Sequence, residues 1–161
     1  LLENKLQFPP LRVYEDPIFL LCTLLKAKEY YAVPDVVYRY NGTHSNKRIT
    51  LACTKDYLRG LIAELKLSKK KDLPEIHTLC CDRLMREADF YAQRFLKTED
   101  PELLALLLEA NAAVSPQLLK DLPEDGSVIL PALRTIWHAG CRYLRWRDQR
   151  IIRTLCDVFV K

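Results

Sequence analysis

Two adjacent carboxylates, Glu15 and Asp16, stand at the mouth of an apolar run in the stretch Phe8-Pro-Pro-Leu-Arg-Val-Tyr-Glu-Asp-Pro-Ile-Phe-Leu-Leu21. Asp16-Pro17 reads as a helix start, with aspartate as N-cap and proline at the first helical position, where it has no amide to lose. An aspartate is ionised at neutral pH, and one held by a first helical turn is rigidly placed, which suits it to take a proton from a hydroxyl. Carboxylates one residue apart cannot both face the same way, so the two do not make an acid and base pair of the kind that hydrolyses glycosides. On these residues alone Asp16 is a plain cap. Both roles can coexist, because a cap bonded to one amide keeps free lone pairs.

The elements that must position this pair are mostly α. Ile18, Phe19, Leu21, Cys22 and Leu25 give the first helix an apolar face that runs to about Lys28. Tyr30 to Tyr40 is rich in β-branched and aromatic residues and is broken by Pro34-Asp35, so short strands are expected near 30–40, as two extended pieces around a turn. Asn41-Gly42 then marks a loop. From Ile49 onward the period is helical. Leu51, Leu58, Leu61, Ile62 and Leu65 make one stripe, and Ser68 to Asp72 reads as a solvated linker. Asp72 with Glu75 resembles a capping box opening a helix whose stripe is Ile76, Cys80, Leu84, Tyr91 and Phe95. Asp100-Pro101 starts another helix, whose Leu103 to Leu108 run is apolar nearly all round and therefore central. The expected division is 1–48 and 49–161, the second part a helical bundle.

With 161 residues, 49% hydrophobic and 29% charged, the chain has the composition of a folded soluble domain. No apolar run approaches the roughly eighteen residues of a membrane span, and the expectation is a cytoplasmic protein. Four scattered glycines exclude a phosphate-cradling loop or a dinucleotide fingerprint. The six cysteines lack zinc-site spacing and read as buried free thiols. His77, Cys80 and Cys81 form a ligand cluster only on paper, since neighbouring positions on a helix point apart, and His77 and His138 read as structural.

Tyr14-Glu-Asp-Pro-Ile-Phe19 resembles the Glu-Asp motif of inverting family 2 glycosyltransferases of the GT-A type, which read as a loop, Glu-Asp-x-x-Phe, then a helix. The distance onward to Tyr38-Arg39-Tyr40 and the Thr43-His44-Ser45-Asn46 loop continue the resemblance, which covers about the first fifty residues. It implies that residues 1–48 are the C-terminal end of a GT-A α/β catalytic domain. Asp16 would then be the general base that deprotonates a hydroxyl acceptor, a glycan or a lipid-linked glycan, attacking a nucleotide sugar, while Glu15 positions the acceptor or the loop. Arg39 would offset diphosphate charge, His44 would ligate a metal or bond a phosphate, and Ser45 lies beside them in the donor or acceptor loop. The family binds a divalent metal, Mn or Mg, mainly through an N-terminal half carrying Asp-x-Asp. That element is missing here, so the expectation is the C-terminal part of a longer polypeptide, inactive by itself.

Residues 129–161 hold seven basic side chains against two acidic ones. Leu130, Leu133, Trp137, Leu144, Ile151 and Leu155 share one helical face, with Arg134, Arg142, Arg145, Arg150 and Arg153 on another, making a basic amphipathic helix or two helices split near Gly140 or Asp148. Such a face is a solvated surface by default. Its next reading is attraction to an anionic membrane, which would hold a transferase on the inner face beside a lipid-linked acceptor. Nucleic-acid binding ranks last, since no recognition motif accompanies the charge. The rival functional classes are a non-enzymatic helical docking or membrane-surface module, and a basic helical nucleic-acid binder.

Overall fold

The computed structural model describes residues 3–35 and 49–115, which contain four helices in the order α1 (Glu15–Leu24), α2 (Leu51–Lys71), α3 (Pro74–Thr98) and α4 (Pro101–Ala113). The described residues are mostly α, and α2 is the central element, packed by α3, α4 and α1. Side-chain pairs set the directions. Tyr57 of α2 meets Glu87 of α3, and Glu64 meets Cys80, so these two helices run antiparallel. Arg59 of α2 meets Glu102 at the start of α4, and Lys66 meets Glu109 near its end, so α4 runs parallel to α2.

The core is what the helical period specifies. Leu58, Leu61 and Leu65 of α2, Leu84 of α3 and Leu103 of α4 are wholly buried, with Tyr91 and Leu107 nearly so. Successive buried positions lie three or four residues apart, so each helix turns one stripe inward. The Leu103 to Leu108 run is not central: α4 packs on α2 with Leu103, Leu106 and Leu107 buried, while Ala105 is exposed and Leu104 and Leu108 are half-buried. Cys80 and Cys81 are buried free thiols, whereas Cys22 and Cys53 are only half-buried. Burial pushes both Cys80 and Cys81 up to about 12, so they behave as small apolar side chains with inert thiols.

The ends follow capping chemistry, with three departures from expectation. Thr50 caps α2 by accepting the Cys53 amide at 3.1 Å, and Asp100 caps α4 by accepting the Leu103 amide at 2.8 Å, with Pro101 following as expected. Asp72, however, opens no capping box. It takes the left-handed conformation (φ 52°) that ends α2, with the Leu73 amide donating to Ser68 O and the Asp72 amide to Lys69 O, the Schellman pattern. Residues 68–71 are therefore the last turn of α2 and no linker. Their three lysines suit the negative end of the helix dipole. Asp16 is also not a cap, since Tyr14 takes that position and makes no side-chain cap bond.

The third departure is the strand expectation. Residues 30–35 form no strand, because no neighbouring segment among the described residues offers a ladder partner. Tyr30 instead donates its hydroxyl to Leu24 O at 3.2 Å, serving a free carbonyl at the end of α1, which stops at Leu24 short of Lys28. Residues 36–40 lie outside the described residues. No helix among the described residues is long and apolar enough to cross a membrane.

One polar node joins three elements inside the bundle. Ser68 Oγ donates to Leu65 O at 2.9 Å, so it accepts from His77 Nδ1 at 2.8 Å, and His77 Nε2 accepts the Ser115 amide at 2.9 Å. Both ring nitrogens are used by the neutral imidazole, and His77 is structural as expected. A second ring proton would point at the Ser115 N–H. Burial holds the His77 pKa below the ordinary histidine value, so the unfolded chain binds its proton first as pH falls. The stability this node contributes is complete above about pH 6.5 and is lost progressively below it. Urea midpoints should fall between pH 7.5 and 5.5, and the fall should be largely absent in His77→Asn. Leu84→Ala, which empties a fully buried site, should cost about 2–5 kcal/mol in the same denaturation measurement.

Candidate functional site

The Glu15-Asp16 pair begins α1, and the residue before it sets where that helix starts. Tyr14 sits in the left-handed region (φ 68°, ψ 15°), an arrangement that costs a bulky residue about 1–3 kcal/mol. It is held there by its burial. The phenol donates to Glu64 Oε2 at 2.6 Å and accepts from Arg83, whose guanidinium carbon lies 5.4 Å from the Tyr14 ring centroid. The ring also meets Tyr57 edge-on, with centroids 4.4 Å apart. A bond to a buried carboxylate contributes about 1.5–3 kcal/mol, so with the ring's burial the anchor outweighs the backbone strain.

Room for that ring comes from Gly60, in the middle of α2. A Cβ there would lie 2.5 Å from Tyr14 Cδ1, and the atoms behind it, Cγ and Cβ, are close as well. The glycine lets the arm approach the helix backbone, which is its use here against a helix-propensity cost of up to about 1 kcal/mol. A second tie lies one turn earlier on α2. Asp56 accepts from the Arg12 amide and from its guanidinium, both at 3.2 Å, while its other oxygen is paired with Arg59. Phe8 stacks on Phe19 with centroids 3.9 Å apart and rings 13° from parallel, closing the arm onto α1.

Beyond this anchor the carboxylates stand clear. Asp16 is exposed and Glu15 half-buried, both in the first turn of α1, and among the described residues neither carboxylate has a hydrogen-bond or ion-pair partner. The helix has no fully buried residue. Leu20 and Leu24 on it, and Phe8, Tyr30, Tyr31 and Val33 beside it in sequence, are exposed.

Of the residues assigned to a transferase site or to the basic surface in the sequence, Glu15 and Asp16 are the two among the described residues, adjacent in the first turn of α1. Arg39, His44, Ser45, Arg134, Arg142, Arg145, Arg150 and Arg153 lie outside the described residues. Among those described, no group of three His, Cys, Asp or Glu side chains is placed to hold a metal ion. His77 faces Ser68 and Ser115, and Cys80 faces Glu64 at 3.7 Å, so these two serve different partners. The sequence reading missed Tyr14, Gly60, Glu64 and Arg83. A glycine in the middle of a helical period, with an acidic residue four positions on beside the Leu61 and Leu65 stripe, was the available signal. Comparison of the chain with protein-family models, with curated proteins and with solved structures gives no match.

Gly60→Ala should separate the arm from the bundle. Its methyl displaces Tyr14 while improving helix propensity, so the circular-dichroism midpoint should stay within a few degrees. Limited proteolysis by trypsin at Arg12 should accelerate on the order of tenfold, following the population of the opened arm.

Proposed function

We propose that this chain is part of an inverting glycosyltransferase, with Asp16 as the general base toward a hydroxyl acceptor and Glu15 beside it orienting that acceptor. The observation that carries the reading is the state of the Tyr14-Glu15-Asp16 turn: the tyrosine is locked into the bundle while the aspartate next but one is exposed on the first turn of a helix. A general base needs a fixed origin and an open approach for the proton it removes, and this turn supplies both. The resemblance of Tyr-Glu-Asp-Pro-Ile-Phe to the family 2 motif supplies the reaction class.

In this reading residues 1–48 complete a GT-A α/β domain, and its sheet and α/β layers cover the apolar side of α1. The donor and its divalent metal are assigned to that domain's nucleotide-binding half, as the family resemblance implies. Asp16 takes the acceptor proton as the oxygen attacks the anomeric carbon, and the nucleoside diphosphate leaves from the opposite side. Arg39, His44 and Ser45 are assigned to the donor or acceptor loop. The arginine face at 134–153 holds the enzyme at an anionic membrane surface on its cytoplasmic side.

A second reading, a helical docking or membrane-surface module without catalysis, draws on the exposed apolar side chains Leu20, Leu24, Tyr30 and Tyr31. The two separate in one assay. The polypeptide encoded by the complete reading frame should release nucleotide from one of a panel of nucleotide sugars with Mn2+, and Asp16→Asn should lower turnover by about 10²–10⁴-fold with little change in stability. Turnover indifferent to the substitution, or no turnover across the panel, would leave the docking module as the reading.

A further inference from the structure

A cavity of about 710 Å3 lies between the N-terminal arm, α2 and α3, separate from the exposed Asp16. Its volume falls in the range of small-molecule sites. Four aromatic residues line it, Tyr14, Tyr57, Phe90 and Tyr91, together with a single carboxylate, Glu87. The remaining wall is mainly apolar, with Arg12 at one edge.

Glu87 is the chemically distinctive member. Its Oε1 accepts from Tyr57 at 2.9 Å and its Oε2 from Tyr91 at 2.7 Å. An ionised carboxylate accepts about four hydrogen bonds, so two positions remain. Burial and the bond to Glu87 push the Tyr57 phenol up to about 12, which keeps it a donor. No Lys or Arg among the described residues forms an ion pair with Glu87. Arg12 is committed to Asp56 at 3.2 Å, and Arg83 to the Tyr14 hydroxyl. Among the described residues, Glu87 therefore brings to the cavity wall a negative charge with no ion-pair partner, beside aromatic rings whose faces are electron-rich. Two of those rings already hold a guanidinium within cation–π distance, Arg83 at Tyr14 and Arg94 at Phe90, each on one face.

We propose that this cavity is a binding site for an organic cation, an ammonium group carrying an aromatic or branched apolar body, with the charge set between Glu87 and the tyrosine rings. The apolar body lies against Val13 and Ile49, and the carboxylate and rings replace the water that the ammonium loses. A carboxylate ligand is disfavoured by Glu87. A neutral ligand gains only the apolar wall. The site stands apart from the transferase reading, which concerns Asp16.

Calorimetric titration of the folded full chain with benzyltrimethylammonium, benzyl alcohol and benzoate tests the assignment. The ammonium probe should bind saturably with one-to-one stoichiometry, at least tenfold more tightly than the other two. Glu87→Gln, which keeps an acceptor for the phenols and removes the charge, should weaken that binding tenfold or more. Phe90→Ala should also weaken it severalfold, and because Phe90 is 42% exposed this variant tests the site if Glu87→Gln fails to fold. Absence of saturable ammonium binding, equal affinity for benzyl alcohol, or ammonium binding unchanged in the folded variants would overturn the proposal.

Discussion

The contact on which the N-terminal arm and its acidic turn depend is that of Tyr14 with the middle of α2. A tyrosine in left-handed backbone conformation is unfavourable by itself, and a glycine inside a long helix weakens that helix. Each is explained by the other, because the ring occupies the space that a Cβ at position 60 would fill. The phenol then reaches Glu64 and Arg83, one residue from each of the two longest helices. Tyr14, with Arg12 as a second tie, thus fastens an N-terminal arm with little burial of its own to a well-packed helical pair. The arm's helix begins where Tyr14 permits, and the orientation of Glu15 and Asp16 follows from that start.

Behind this anchor the bundle supplies rigidity of an ordinary kind. Wholly buried leucines on α2, α3 and α4 interlock, and three internal polar groups are matched: His77 between Ser68 and Ser115, Glu64 between Tyr14 and Cys80, Glu87 between two phenols. Paired groups of this sort cost little when complete and a good deal when one member is removed. The polar interior on the α2 and α3 side lies close to the arm, so the same buried groups that stabilise the helical pair also fix the surroundings of the acidic turn and the wall of the cavity.

Much of this architecture was legible in the sequence. The stripes Leu58, Leu61, Leu65 and Cys80, Leu84, Tyr91, Phe95 follow a period of about 3.6 residues that no other element satisfies. Asp100-Pro101 carries its cap and its helix start in adjacent residues. What could not be read depended on backbone conformation imposed from a distance. Asp72 has the composition of an N-cap, yet its left-handed backbone makes it the end of α2; Asp16 has the same composition and lies inside a helix whose start belongs to Tyr14. The partners that bury Tyr14 are 50 and 69 residues away in sequence, beyond any local pattern. The acidic pair itself was visible only through a short motif, and the cavity, assembled from three separate segments, was not visible at all.

The ionic pairs along α2 and α4 have a consequence for how the last helix is seated. Leucine on several sides gives α4 no sharp apolar stripe, so packing alone would tolerate a rotation, or a slide by one turn of 5.4 Å, with little loss. Lys55 and Arg59 meeting Asp100 and Glu102 at one end, and Lys66 meeting Glu109 at the other, engage together in only one alignment. Charges at two separated points act as a vernier. They add little to the depth of the folded well and much to its uniqueness, selecting one register for a helix whose greasy surface would otherwise accept several.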